Sequence, residues 1–152
     1  MGLETRLANA EDSKEIYEWR NDERTRLMSH TSKLVKWDGH VKWFDAALNN
    51  PNRCLLICFL KQENIKVAIV RFDVEREKAL VSINTSPSMR GKGMSKICLN
   101  KSIIYFASLF KDVRQINAEI KTNNVASRKA FEGVGFDLVK VDDEVGFFKF
   151  EL

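Results

Sequence analysis

The residues best suited to chemistry in this chain lie together at Arg90-Gly91-Lys92-Gly93-Met94-Ser95. Glycines alternate with cations there, after a strand-like run ending Ile83-Asn84-Thr85 and a proline turn, and before a long apolar stretch. A helix starting at that point presents unpaired N–H groups and a partial positive charge, which suits a phosphate. Glycine lets the backbone approach such an anion with no Cβ in the way. The spacing is neither G-x-x-x-x-G-K-[ST] nor G-x-G-x-x-G, which excludes the P-loop and dinucleotide fingerprints. No metal is expected: Cys54, Cys58 and Cys98 form no C-x-x-C pair, and His30 and His40 are the only histidines.

Elements must hold that loop in place. Thr5–Asn9 is expected as a first strand, followed by a helix announced by Ala10-Glu11-Asp12-Ser13 and carrying Ile16, Tyr17 and Trp19. A second helix runs from Trp37 through Val41, Trp43, Phe44, Ala47 and Leu48 to the stop at Asn49-Asn50-Pro51-Asn52. Arg53–Leu60, Ile65–Val74 and Lys78–Thr85 read as strands joined by short polar turns, an antiparallel meander. A helix over about Gly93–Phe110, a strand at Gln115–Lys121 and a helix near Val125–Glu132 follow, with Gly133 and Gly135 ending the last. Phe136–Val141 and Val145–Phe150 form a terminal hairpin around Asp142-Asp143-Glu144. The order β-α-α-β-β-β-α-β-α-β-β is that of an α/β domain with a mixed sheet.

With 152 residues, 44% hydrophobic and 30% charged, the chain is expected to be one domain over 1–152 and not a disordered one. No apolar run reaches the ~18–20 residues that span a bilayer, and no apolar leader follows Met1, so no membrane association is expected. Unpaired, apolar-flanked cysteines point to a reducing, cytoplasmic setting. The net charge of +4 is unevenly placed. Residues 90–101 and 121–130 hold seven bases and no acid, leaving 18 bases against 21 acids elsewhere. A compact cationic site favours a phosphate ligand over a broad nucleic-acid face.

The loop resembles the phosphate loop of the GNAT N-acetyltransferases, Arg/Gln-x-x-Gly-x-Gly/Ala, departing from it only at Ser95. A second family motif, Asn-x-x-Ser ahead of a helix ending in Gly-Phe, is matched by Asn124-Val125-Ala126-Ser127 and Gly135-Phe136. The resemblance covers nearly the whole chain. It implies the GNAT fold, a mixed central sheet of about seven strands flanked by helices and splayed between the fourth and fifth strands, with acetyl-CoA as co-substrate. It further implies that Ile83, Asn84 and Thr85 pair with the pantetheine amides, and that residues Arg90, Gly91, Lys92, Gly93, Met94 and Ser95 hold the phosphates. Asn124, Ser127 and Arg128 would complete the cofactor site. Within the family, Glu18-Trp19-Arg20-Asn21-Asp22, His40-Val41-Lys42-Trp43-Phe44, Val70-Arg71-Phe72-Asp73 and Ala118-Glu119-Ile120-Lys121 resemble the nucleotide-linked amino-sugar N-acetyltransferases of the pseudaminic acid pathway.

Acyl transfer needs a neutral amine, yet an alkyl amine with a pKa of ~10.4 is neutral to only about one part in a few thousand at pH 7. In the strand Gln115–Lys121, Asn117, Glu119 and Lys121 face away from Ile116, Ala118 and Ile120. That places Glu119 where the family's sheet opens, and it is the expected base, acting through a water. Many family members protonate the leaving thiolate from a tyrosine seven residues after the motif asparagine; here that residue is Phe131, so Tyr105, Ser127 or water must serve. The acceptor is expected to be a UDP-linked 4-amino-4,6-dideoxy sugar, bound by Trp19, Arg20, Asn21, His40 and Arg71, with His30 a further candidate. Trp43 is expected in the core. Two alternatives stay open: a ribosomal-protein alanine-type N-terminal acetyltransferase, and a non-catalytic domain binding CoA or nucleic acid. A homodimer is compatible with the sequence.

Overall fold

Stretches rich in β-branched and aromatic residues form the strands, and the 3.6-residue apolar stripes form the helices. In the computed structural model, which describes residues 2–152, the order is β1 (Leu3–Leu7), α1 (Ser13–Asn21), α2 (Glu23–Met28), α3 (Trp37–Asn49), β2 (Arg53–Leu60), β3 (Ile65–Glu75) and β4 (Lys78–Thr85). Then come α4 (Met94–Leu109), β5 (Gln115–Lys121), α5 (Val125–Val134), β6 (Asp137–Asp142) and β7 (Val145–Glu151). The strands form one mixed sheet of order β1-β2-β3-β4-β5-β7-β6, in which only β4 and β5 run parallel. This is the expected seven-stranded α/β architecture.

Two cores of unequal size sandwich the sheet. The larger gathers Leu56, Val70 and Phe72 from the sheet with Leu99, Ile103 and Phe106 of α4 and Phe131 of α5. Phe72 and Phe106 stack there at 4.1 Å between ring centroids. The smaller packs Ile16 and Trp19 of α1 and Phe44 and Ala47 of α3 on Leu55, Ile57 and Ile69. α1 and α3 thus pack that second face mainly over β2 and β3. Further along it, Leu80 and Ser82 of the central strand β4 are exposed.

Three local expectations change, the smallest being that Gly133 lies inside α5, which runs to Val134 and is capped by Gly135 at φ +119°. β1 covers Leu3–Leu7 rather than Thr5–Asn9, because Asn9 is committed to a short 3-10 turn at Ala10–Asp12. Its N–H donates to the Asp12 carboxylate at 2.9 Å and its side-chain oxygen accepts from the Glu11 N–H at 2.9 Å, a capping arrangement incompatible with a strand ladder. The last change is α2. Its six residues bury nothing, so they show no apolar stripe in the sequence. Asp22 starts it by accepting from the Thr25 N–H at 3.1 Å.

Candidate active site

The sheet opens where β4 and β5 part. They pair only at Lys78–Gln115, Ala79–Ile116 and Leu80–Asn117, whereas β4 pairs with β3 along its whole length. From Val81 to Thr85, the β5-facing edge of β4 therefore carries backbone donors and acceptors that no strand claims. Ile83, Asn84 and Thr85 lie on that edge, half-buried. An extended chain of amides fits such an edge as a further strand does.

Beyond β4, Gly91 and Gly93 adopt φ of +72° and +70°. Nothing lies within 4 Å of where a Cβ would stand at either, so these glycines serve backbone conformation and leave open space outside the loop. Gly93 is the N-cap of α4 and contributes no side-chain cap, and no acid occupies the first turn. The N–H groups at the start of this 16-residue helix thus face outward for an anion, with Lys92 and Lys96 exposed beside them. At Ser95, the departure from the family pattern, the hydroxyl pairs with the Thr85 hydroxyl at 3.0 Å and ties the end of β4 to the first turn of α4. Across the opening, the Asn124 side chain accepts from the Ser127 N–H at 3.2 Å and starts α5, while Arg128 lies 3.8 Å from Glu132 one turn on. These residues fit a CoA pyrophosphate and pantetheine.

Arg90 does something its motif did not indicate. Its guanidinium donates to Asp22 Oδ2 and to Thr25 Oγ1, each at 2.6 Å, clamping the start of α2 to the glycine loop. Burial pushes the Asp22 carboxyl up, but the bonds from Arg90 and Thr25 outweigh it and hold the group below its usual range.

Glu119 stands on the less covered sheet face with Asn117 and Lys121, while Ile116, Ala118 and Ile120 are buried on the other. Its register partner on β7 is Phe147. His30 comes over it, with Nε2 3.4 Å from Glu119 Oε1. Phe131 is 2% exposed and packs edge-on against Phe136 at 4.9 Å, so it offers the opening no polar atom.

The five expected acceptor residues divide. Arg71 pairs in register with Ser82, and Asp73 with Leu80, which itself pairs with Asn117; Arg71, Ser82, Asn117 and Glu119 therefore share one sheet face. Arg20 and Arg71 flank the half-buried Trp43, their guanidinium carbons 4.3 and 5.6 Å from its ring centroid. Burial and then the charge of Arg71 push the Arg20 pKa down. Asp73 is shared between Arg53 and Arg71, at 3.3 Å from each, and among the described residues no carboxylate lies in ion-pair range of Arg20.

The other three are committed elsewhere. Trp19 is 4% exposed, its ring taken up by the smaller core, so it cannot cover a sugar face. Asn21 donates to the Val35 carbonyl at 2.8 Å and accepts from the Val35 N–H at 2.7 Å, satisfying its amide on the chain that leads to α3. His40 is fully buried among Tyr17, Trp37, Trp43 and Phe44. Its Nε2–H donates to the Ser13 carbonyl and its Nδ1 accepts from Arg20, both at 2.9 Å. Burial pushes its pKa down, and the ring is a neutral post that aims Arg20. Trp43, expected in the core, does pack half-buried against the smaller core, and it also presents its ring to the two arginines. An i+3 neighbour of His40 on α3 signals only a helical stripe, and nothing in sequence says which side of it is wet.

Comparison with known proteins agrees with this geometry. The acetyltransferase (GNAT) domain family matches residues 3–137. No curated protein matches the chain. Spermidine N-acetyltransferase from Vibrio cholerae, solved with CoA and spermine, superposes with a TM-score of 0.87 at 13% identity, covering 99% of this chain and 95% of that one. A domain from Methanocaldococcus jannaschii gives 0.84 at 20% identity over 99% and 98%. The yncA protein of Salmonella typhimurium, solved with acetyl-CoA as its cofactor, gives 0.79 at 18% over 99% and 94%. At these identities the structures speak for the fold. Because the family match spans most of the chain and the glycine loop, the split sheet and the capped α5 are all in place, the chain belongs to the GNAT acetyltransferases, enzymes that take their acetyl group from acetyl-CoA.

Proposed function

We propose that this acetyltransferase acylates the primary amine of a small anionic acceptor, namely a UDP-linked 4-amino-4,6-dideoxy sugar, in the cytoplasm. The observation that carries the reading is the Arg20–Trp43–Arg71 stack on the sheet face that also bears Glu119. Three arginines, Arg20, Arg53 and Arg71, meet there with the single carboxylate of Asp73, which leaves the cluster short of negative charge. A diphosphate meets that need through bidentate guanidinium contacts, and a base or sugar face can cover the indole. A polycation such as spermidine would meet repulsion in the same place.

The reaction runs by direct attack. The amine nitrogen bonds to the thioester carbonyl carbon while Glu119, through a water, takes a proton from nitrogen. A β4 backbone N–H at the opening stabilises the developing oxyanion. Breaking the C–S bond expels CoA as thiolate; Phe131 has no proton to give it, which leaves Tyr105, Ser127 or water as the donor.

CoA-thiol release with three acceptors tests the proposal: a UDP-linked 4-amino-4,6-dideoxy sugar, spermidine and an alanine-initiated peptide. Turnover of the sugar alone is expected. Turnover of spermidine or the peptide with none of the sugar would overturn the acceptor assignment, and thiol release with no amine would remove the transferase reading. For the base, Glu119→Gln should lower kcat/KM about 100-fold or more at pH 7 and recover as pH rises and free amine accumulates. Full activity of that variant at neutral pH would remove Glu119 from the mechanism.

A further inference from the structure

Residues 22–36 lie across the face that carries Glu119, fastened at three points. Arg90 holds Asp22 and Thr25 at the start, the Lys121 ammonium donates to the Leu27 carbonyl at 3.0 Å, and Asn21 clasps Val35 at the far end. Lys121 is two residues beyond Glu119 on β5, so tying it to Leu27 brings the next residues of the segment over Glu119. His30 is where they meet. Its Nε2 lies 3.4 Å from Glu119 Oε1, while its side chain remains 63% exposed against 35% for Glu119.

From this geometry we infer that His30 is a positioning residue for acetyl transfer: it orients the Glu119 carboxylate and carries onward the proton that Glu119 takes from the amine. The inference rests on the reading of Glu119 as base. Proton balance gives it a task. The acceptor arrives as R–NH3+ and leaves as an amide with one N–H, so two protons depart as the N–C bond forms and the C–S bond breaks. One ends on the CoA sulfur and the other in solvent. A carboxyl that keeps its proton cannot serve the next turnover. An imidazole can take a proton at Nε2 and release one from Nδ1 to water, with no other reactant.

The charged groups around the pair cannot substitute. Lys121 is turned to Leu27, Arg26 donates to the carbonyls of Asn21 and Ser32, Lys149 of β7 stands beside Phe147, opposite Asn117, and Asp22 and Arg90 hold each other. The cations among them have no site for a further proton at neutral pH.

His30→Gln, His30→Ala, Glu119→Gln and the double variant His30→Gln/Glu119→Gln, assayed with the acceptor of highest turnover between pH 6 and 9, test the inference. His30→Gln should lower kcat about tenfold at pH 7 with KM for acetyl-CoA unchanged, and added imidazole should restore much of the loss in His30→Ala. In the Glu119→Gln background, His30→Gln should do nothing further. An impaired Glu119→Gln beside a fully active His30→Gln would refute the role of His30 and leave the base standing. Fully additive losses, or no rescue by imidazole, would also refute it, by making His30 independent of Glu119 or merely structural. An unimpaired Glu119→Gln would remove both readings together.

Discussion

Replacing Asp12 by asparagine tests how the scaffold beneath the acceptor site is held. Asp12 is fully buried, yet its carboxylate accepts from Arg6 at 2.7 and 2.8 Å, from Lys66 at 2.8 Å and from the Asn9 N–H at 2.9 Å. These bonds join β1, the turn leading into α1, and β3. Burial pushes the carboxyl up, but the bonds from Arg6, Lys66 and Asn9 outweigh it and lower its pKa to about 2 from an ordinary 3.8. A difference of nearly two pK units corresponds to about 2.4 kcal/mol of stability at pH 7. Because the folded value is the depressed one, that contribution is complete above the unfolded pKa and is lost as pH falls through the folded one. It shrinks to about 1.3 kcal/mol at pH 3. Urea unfolding of wild type and Asp12→Asn at the two pH values should show the stability gap narrowing by about 1 kcal/mol. At pH 7 the variant should melt about 5–10 °C lower. A gap of the same size at both pH values would refute the reasoning, since it would assign the loss to packing rather than to the ionised carboxylate.

Two further outcomes follow from the site. Gly93→Ala places a Cβ at φ +70°, where space is free but the backbone is disfavoured; it should cost about 1 kcal/mol in stability and raise KM for acetyl-CoA severalfold, measured by denaturation and by thiol release. His40 is held neutral with a lowered pKa, so protonation favours the unfolded chain and stability should fall as pH drops below the unfolded imidazole value of 6.5. His40→Phe should flatten that part of the stability–pH curve, and it should also raise KM for the acceptor by freeing Arg20 from its aim.

Much of this was legible in advance because it depends on local chemistry. Gly91 and Gly93 with their cations, the strand that precedes them and the helix that follows are written in consecutive residues. Alternation along Gln115–Lys121 assigned Glu119 to the less covered face, since side chains change sides at every residue of a strand. The acceptor side is less legible in the sequence. Trp19, Asn21 and His40 have types that bind ligands, but the same types also fill cores, clasp loops and brace other side chains. Which of these each one does depends on what lies opposite. α2 was illegible for the complementary reason: it buries no residue and is held by Arg90, 65 or more residues away in sequence.

The order of elements apart from α2, the two cofactor motifs and their family are thus legible in the sequence, because periodicity, capping and glycine conformation act over a few residues. The folded structure was needed to fix where β4 and β5 part, after Leu80–Asn117, and to show that Trp43 rather than Trp19 meets the arginines and that His30 reaches Glu119. Each is a meeting of segments tens of residues apart, and its energy comes from which surfaces the folded sheet leaves uncovered, a quantity that no short window of the chain contains.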